Sequence, residues 1–299
     1  MLQRLIFKHI IYMRCFMNLR EETEFLLNKY RLRANKNLGQ NFLINGAIVD
    51  EIVEKAKISE NDIVIEIGPG LGSLTAKLAE KAKQVIAIEL DARMIEVLEE
   101  RFSLYKNVQL IHADILKIDL KELINQNKKD NNWNVKVVAN LPYYITTPII
   151  MKLLEDQLPI DSITVMVQKE VGERLEAQPG NKEYGAITVS VNYYAEPKVI
   201  ISVPKDNFNP APEVDSCVIQ LKLKDKHMEL KDEKLFFRVI KFAFTQRRKN
   251  IGNSLTMVGK SKEEIRQMLG ELELDINLRA ENLSIEDFAR IANYLAESN

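Results

Sequence analysis

The apolar run that starts at Val135 ends in an amide, a proline and an aromatic ring, in the order Asn140-Leu141-Pro142-Tyr143. The exocyclic amino group of a nucleobase is a poor nucleophile because its lone pair is delocalised, so methylating it requires acceptors that hold its two hydrogens. The Asn140 side-chain oxygen and the Leu141 carbonyl can accept, and Pro142 restricts the backbone beside them. Tyr143 offers a stacking face to an extruded base. These residues predict a pocket wall for a flat amine, although they would also suit an ordinary strand-to-loop junction.

A glycine-rich turn follows another apolar run upstream. Residues 63–67 have a strand-like pattern, glycines stand at 68, 70 and 72, and residues 73–82 carry helical apolar spacing. Without Cβ atoms at Gly68 and Gly70 the backbone can approach a ligand, and the following helix N-terminus presents unpaired N–H groups. The pattern predicts a nucleotide-binding strand, loop and helix. Glycine spacing alone would serve a dinucleotide or a tight turn equally well.

Two carboxylates follow at the ends of the next predicted strands. Residues 85–89 end in Glu89, about 20 positions beyond the glycine loop, where a carboxylate can accept both ribose hydroxyl hydrogens. Residues 108–111 are followed by His112 and Ala113 and then by Asp114, within reach of an adenine amino group. Ligands of open α/β sheets collect at the carboxyl edge of the strands. The acidic residues therefore favour adenosine as part of the ligand.

A parallel sheet is the element that would bring these motifs together. The chain is predicted to be α/β, with a Rossmann-like domain over residues 24–223 and a small all-α domain over residues 224–299. Residues 1–23 are predicted to be an N-terminal extension, either disordered or preceding the true start. Further strands are predicted at 162–167, 186–194, 198–203 and 216–223.

In this order the motifs resemble those of S-adenosylmethionine-dependent methyltransferases. The resemblance implies that Gly68 and Gly70 contact the methionine side, Glu89 the ribose and Asp114 the adenine, while Asn140 serves both cofactor and acceptor amine. S-adenosylmethionine is then the expected methyl donor. A dehydrogenase would account for the glycine loop and Glu89 but gives no reason for the Asn-Leu-Pro-Tyr motif.

Further stretches resemble one family, the ribosomal RNA adenine N6,N6-dimethyltransferases of the KsgA/RsmA type. The resemblance runs from about residue 30 to residue 297. The polar loop at 125–132 is longer than that pattern leads us to expect, which puts loop geometry in doubt but not the chemistry. The stretches that carry the resemblance are Asn37-Leu-Gly-Gln-Asn-Phe-Leu-Ile-Asn45, the aromatic and proline segment 203–216, the segment 242–255 and Leu278-Arg-Ala-Glu-Asn-Leu-Ser284.

The family resemblance implies further residue roles. Asn41 and Leu43 would contact the cofactor, and Phe208 would face the target base opposite Tyr143. The implied catalytic set is Asn140, Leu141, Pro142, Tyr143 and Phe208. Arg247, Arg248 and Lys249 would bind RNA in the helical domain.

The implied function is dimethylation at N6 of two adjacent adenosines in a hairpin loop of small-subunit (16S) ribosomal RNA, with a role in small-subunit maturation. The expected partners are that RNA and the small ribosomal subunit. Two alternatives stay open: a ribosome-assembly factor with incidental catalysis, and dimethylation of large-subunit (23S) RNA. A DNA adenine methyltransferase is disfavoured because nothing resembles a domain that reads duplex sequence.

Composition adds boundaries to this interpretation. At 299 residues and 46% hydrophobic content the chain can bury one large and one smaller core, and its formal net charge of -1 leaves RNA attraction to local basic stretches. Two cysteines and three histidines without ligand spacing predict no metal site and favour a reducing cytoplasm. The first 18 residues match neither a signal peptide nor a membrane span. The expected protein is a cytoplasmic monomer with no membrane partner.

Overall fold

A computed structural model of the protein describes residues 17–130, 132–225, 228–246 and 249–297. The chain divides into two compact units. The first comprises residues 1–169 and 199–221, and the second comprises residues 170–198 and 222–299.

Most of a seven-stranded sheet with the strand order β4-β3-β2-β5-β6-β9-β7 belongs to the first unit. Strands β2 to β6 pair in parallel, which confirms the predicted Rossmann-like α/β class. The strands are β2 (Asp62–Ile67), β3 (Gln84–Glu89), β4 (Val108–His112), β5 (Asn134–Asn140), β6 (Ser162–Gln168), β7 (Ala195–Val203) and β9 (Ser216–Leu223).

Helices connect the parallel strands and cover the sheet, as crossover connections require. Strands β2 and β5 are apolar on both faces for this reason, and Val64, Ile65, Val137 and Val138 are all fully buried. The helices are α1 (Leu19–Lys29), α2 (Gly46–Lys55), α3 (Ser73–Lys81), α4 (Ala92–Phe102), α5 (Leu120–Asn127) and α6 (Thr146–Glu155).

A two-residue strand, β1 (Phe42–Leu43), pairs antiparallel with another, β8 (Phe208–Asn209). The Ile44 backbone N–H donates to the Asn207 carbonyl at 2.8 Å, and the Asn45 side chain donates to that of Asn207 at 2.8 Å. The pairing joins two sequence segments that motif reading could not connect.

Helix α1 occupies part of the segment predicted to be an extension. Asn18 caps the helix through a reciprocal pair of bonds with Glu21, and the Thr23 side chain is buried. Residues 19–23 are therefore part of a capped helix, which differs from the predicted extension over residues 1–23. Residues 1–16 lie outside the described part of the chain.

The second unit is helical in its C-terminal part, as the predicted all-α domain requires. Besides short 3₁₀ turns, its helices are α7 (Lys169–Glu176), α8 (Ala186–Tyr194), α9 (Glu233–Thr245), α10 (Ile251–Ser254), α11 (Lys262–Glu271) and α12 (Ile285–Glu297). The first residue of α7, Lys169, is counted with the first unit.

The predicted strand at 186–194 is wrong, because these residues form α8. The alternating Thr, Val and Tyr side chains favour a strand locally, but packing overrides that preference. Within the second unit, the Tyr193 ring lies 5.3 Å from Phe236 and the Tyr194 ring stacks on Phe237 at 5.7 Å. Residues 170–198 consequently group with the C-terminal helices, whereas the predicted boundary at 223–224 assigned them to the first domain. Among the described residues, no helix combines the length and apolar character needed to cross a bilayer.

Candidate active site

A pocket opens at the carboxyl edge of the parallel strands in the first unit. The predicted cofactor residues and most of the predicted catalytic residues line it. These lining residues are Asn41, Leu43, Gly68, Gly70, Glu89, Asp114, Asn140, Leu141, Pro142 and Tyr143. The structure therefore brings together motifs that are separated by up to about 100 positions in the chain.

The glycine loop turns sharply between β2 and α3. Gly68 and Gly70 have φ values of +66° and +57°, a conformation that favours glycine, and the Gly68 N–H donates to the Ile88 carbonyl at 2.9 Å. A Cβ atom on Gly68 would have no atom outside its chain neighbours nearer than the Asn140 carbonyl at 4.0 Å. The floor of the pocket is therefore exposed backbone that a ligand can approach closely.

Glu89 is buried at the end of β3 and is already engaged by backbone. Its Oε2 accepts from the Gly70 N–H at 3.0 Å, and its Oε1 accepts from the N–H groups of Leu90 and Asp91, each at 2.9 Å. Burial raises the pKa of Glu89, and these bonds to the ionised form oppose that effect. A carboxylate has roughly four acceptor sites, so Glu89 can fix the glycine loop and still accept from a hydroxyl group.

Asp114 lies half-buried beyond β4. Its Oδ1 accepts from the Leu116 N–H at 3.0 Å, and its Oδ2 lies 3.6 Å from the Lys117 amine. Asp114 therefore lines the pocket from a turn that its own side chain stabilises.

Asn140 is held in place by a hydrogen bond to Asn41, which also lines the pocket. Its side-chain Nδ2 donates to the Asn41 carbonyl at 3.1 Å, which orients the amide and leaves Oδ1 to accept from an incoming amine. The Leu141 N–H donates to the Met166 carbonyl at 3.2 Å. Leu43 pairs with Phe208 in the β1–β8 pair and lines the pocket.

Tyr143 is the first residue of a 3₁₀ turn, and Pro142 is the residue at its N-terminal cap. The Tyr143 hydroxyl lies 2.6 Å from the hydroxyl of Ser216, a fully buried residue at the start of β9. Burial raises the pKa of Tyr143, so its phenol is neutral across the physiological range. The ring is thus fixed at both ends on the pocket wall.

Phe208 is the one predicted catalytic residue that does not line the pocket. It pairs with Leu43 through β8, is only 3% exposed, and packs in the apolar cluster that contains Val203 and Val218. Its ring is part of the apolar core that also contains Leu43 and Val49. The predicted role of Phe208 opposite Tyr143 stays a prediction.

Two of the predicted RNA-binding residues, Arg247 and Arg248, lie outside the described residues. Lys249, the third, is exposed in the second unit just before α10. Its predicted role stays a prediction.

The sequence motifs did not indicate a hydrogen-bonded group, Gln40, Asp91 and Arg93, that links segment 35–43 to the chain just after Glu89. Gln40 donates to Asp91 Oδ2 at 2.9 Å and accepts from the Asn35 N–H at 2.9 Å. Arg93 donates to the same Asp91 carboxylate and, together with Gln40, holds the pKa of Asp91 below its usual range. Only the order Glu89-Leu90-Asp91 at the end of β3 could have suggested this role.

Glu66 was also missed, since it reads as one polar residue inside an apolar strand. It is 1% exposed, lines the pocket, and its Oε2 has no hydrogen-bond partner among the described residues. Burial raises its pKa to about 8. Glycine backbone that a ligand can approach and carboxylates at the ends of β3 and β4 together suit a nucleoside with ribose and adenine groups.

Comparisons with known proteins agree with this chemistry. The family model described as ribosomal RNA adenine dimethylase matches residues 31–297. A ribosomal RNA small subunit methyltransferase A from Alkaliphilus oremlandii is 45% identical over 280 residues, covering 93% of this chain and 97% of that protein.

Solved structures extend the comparison. A dimethyladenosine transferase from Plasmodium falciparum superposes with a TM-score of 0.70 at 28% identity, covering 83% of this chain and 94% of the other. The 23S rRNA methyltransferase ErmE superposes with a TM-score of 0.65 at 24% identity, covering 87% and 100% respectively, a likeness that extends to the fold alone.

Proposed function

Since this chain belongs to the ribosomal RNA adenine dimethylase family, we propose that it transfers methyl groups from S-adenosylmethionine to N6 of two adjacent adenosines in a hairpin loop of 16S ribosomal RNA. One observation carries the residue assignment: the Asn140 amide is fixed by the Asn41 carbonyl at the rim of a pocket with a glycine-loop floor. The product is N6,N6-dimethyladenosine in the maturing small subunit.

S-adenosylmethionine supplies a methyl group that its sulfonium makes electrophilic. Gly68 and Gly70 would hold the methionine side, Glu89 the ribose, and Asp114 the adenine, while Asn41 and Leu43 close the pocket wall. No metal ion is required for this transfer, because the leaving group is already activated.

The chain's contribution is alignment and electrostatics. The Asn140 Oδ1 and the Leu141 carbonyl accept the two N6 hydrogens, which localises the lone pair and stabilises positive charge as it develops on nitrogen. Tyr143 provides a stacking face for the extruded adenine, and a single-stranded loop base costs less to extrude than a paired one. The protein is proposed to act as a cytoplasmic monomer.

The first experiment incubates the protein and labelled S-adenosylmethionine with undermethylated small subunits, large subunits and naked RNA, followed by mass spectrometry of modified adenosines. N6,N6-dimethyladenosine confined to small-subunit RNA is expected. Label in large-subunit RNA would contradict the substrate assignment. Absence of label would leave the assembly-factor role in its place.

Asn140→Ala is expected to reduce transfer by at least a hundredfold while small-subunit binding is retained. Asn134→Ala is the matched control. It lies at the other end of the same strand, where its side chain donates to Asp62 at 3.1 Å. Equal losses in both variants would contradict the role of Asn140.

A further inference from the structure

Tyr144 is an aromatic residue that the proposed chemistry does not use. Among the described residues, five large hydrophobic side chains are strongly exposed, and Tyr144, at 57%, is the one aromatic. It also lines the pocket. A wide apolar ring in water at the rim of a substrate pocket requires an explanation.

Local geometry separates Tyr144 from its neighbour Tyr143. Both belong to the 3₁₀ turn Tyr143–Ile145, which the Ile145 N–H closes by donating to the Pro142 carbonyl at 3.2 Å. Tyr143 is anchored inward by Ser216, whereas Tyr144 points to the solvent side of the rim.

Gly39 lies close to the Tyr144 ring. Its φ is +59°, and a Cβ atom built there would come within 3.3 Å of the Tyr144 Cδ1 and 3.4 Å of the Pro142 Cβ. Because Gly39 has no side chain, the edge of the Tyr144 ring can lie close to the Gly39 backbone, while much of the ring surface stays in solvent. A ring held in place before binding loses little conformational entropy when a ligand stacks on it.

A lysine, Lys36, stands three residues before Gly39 in the chain. The Gly39 N–H donates to the carbonyl of Lys36, the first residue of the turn Lys36–Leu38, and the Lys36 residue is exposed. An exposed aromatic ring with a basic residue in the adjoining segment is the kind of pair with which proteins hold single-stranded nucleic acid without reading its sequence.

We propose that Tyr144 stacks the base of the RNA nucleotide next to the adenosine in the pocket, with Lys36 at its phosphate. When the target adenosine enters the pocket its neighbour loses a stacking partner, and the Tyr144 ring replaces it. This inference rests on the proposed function and adds a nucleotide-positioning residue to it. Phe208 cannot take that place, since its ring is buried.

The test compares Tyr144→Leu, which keeps apolar volume but removes the π face, with Tyr144→Phe, which keeps both. For Tyr144→Leu the KM for undermethylated small subunits is expected to rise about tenfold. Tyr144→Phe is expected to match wild type within twofold. The Kd for S-adenosylhomocysteine, measured by calorimetry, is expected to be unchanged in both variants.

Two results would overturn the inference. One is an unchanged KM for small subunits in Tyr144→Leu. The other is a loss of S-adenosylhomocysteine affinity equal to the rise in KM, which would mean that Tyr144 only packs the 35–43 segment. A wild-type protein that leaves small subunits unlabelled would refute the proposed function itself, a result separate from either.

Discussion

Glu66 makes the stability of the protein depend on pH. Its folded-state pKa is about 8 against an ordinary value of 4.5, because the carboxyl is buried. The folded protein therefore holds a proton that the unfolded chain has lost, and stability falls as pH rises from about 5 to about 8.

Glu66→Gln is expected to remove the part of this slope that Glu66 contributes. Each pKa unit corresponds to about 1.4 kcal/mol, so the variant should gain several kcal/mol relative to wild type between pH 5 and pH 9. Urea denaturation of the cofactor-free protein at a series of pH values measures the difference. Glu96→Gln, on the exposed side of α4, is the control, and parallel curves for Glu66→Gln and wild type would contradict the prediction.

Two variants at Tyr143 are expected to distinguish the stacking role of its ring from the hydrogen bond that its hydroxyl makes with Ser216. Tyr143→Phe keeps the ring but leaves the buried Ser216 hydroxyl without its 2.6 Å partner, which should cost about 1–3 kcal/mol of stability and change kcat only a few-fold. Tyr143→Leu should lose comparable stability and, in addition, at least tenfold in kcat. Denaturation midpoints and single-turnover rates measure the two effects. Similar kcat values for the two variants would refute a stacking role.

Sequence reading located site residues that stand at strand ends and failed for those fixed by distant packing. Glu89, Asp114 and Asn140 were predictable because parallel strands share one carboxyl edge. The burial of Phe208 was not predictable, because its position depends on pairing with Leu43, far away in the chain. The proximity of Tyr144 to Gly39 joins positions about 100 residues apart, which no local pattern encodes.

At the scale of elements, α1 supports the glycine loop through one buried arginine. The Arg101 side chain on α4 is only 6% exposed; it donates to the Leu71 carbonyl at 2.6 Å and pairs with Glu22 of α1 at 2.8 Å. Helix α1 therefore holds the cation that fixes the loop backbone.

Glu22→Gln is expected to weaken S-adenosylmethionine binding about tenfold with little change in kcat, because a buried cation loses its charged partner and the loop shifts. Isothermal calorimetry and saturation kinetics give the two parameters. Glu24→Gln, exposed on the same helix, serves as the control. Equal affinities for the Glu22 and Glu24 variants would rule out the coupling.

Element prediction succeeded where the apolar pattern agreed with packing on both faces. Strands β2, β3 and β9 begin within one residue of their predicted starts. Helix α8 was taken for a strand because Ala186–Tyr194 alternates β-branched residues, and its aromatic contacts with α9 decide otherwise. Those contacts join positions about 40 residues apart, beyond the reach of periodicity.

At the scale of the whole molecule, a net charge of -1 means that attraction to RNA must come from local cations. Replacing Arg247, Arg248 and Lys249 together with alanine is expected to reduce the salt dependence of RNA affinity, log Kd against log salt, by about two units. Binding titrations from low to moderate salt measure the slope. The matched control removes the same charge at Lys121, Lys128 and Lys129 on and after α5. An equal change of slope in both triple variants would indicate a general charge effect.

The pairing of β1 with β8 has a consequence in time. About 165 residues separate Leu43 from its partner Phe208. At a synthesis rate of about 5–20 residues per second, the ribosome takes roughly ten to thirty seconds to make that stretch. Throughout this interval Asn41 and Leu43 have been translated but their partner strand does not exist. The nascent chain therefore acquires a complete cofactor wall only after most of the first unit has emerged, which makes methyl-donor capture a late event in the protein's biogenesis.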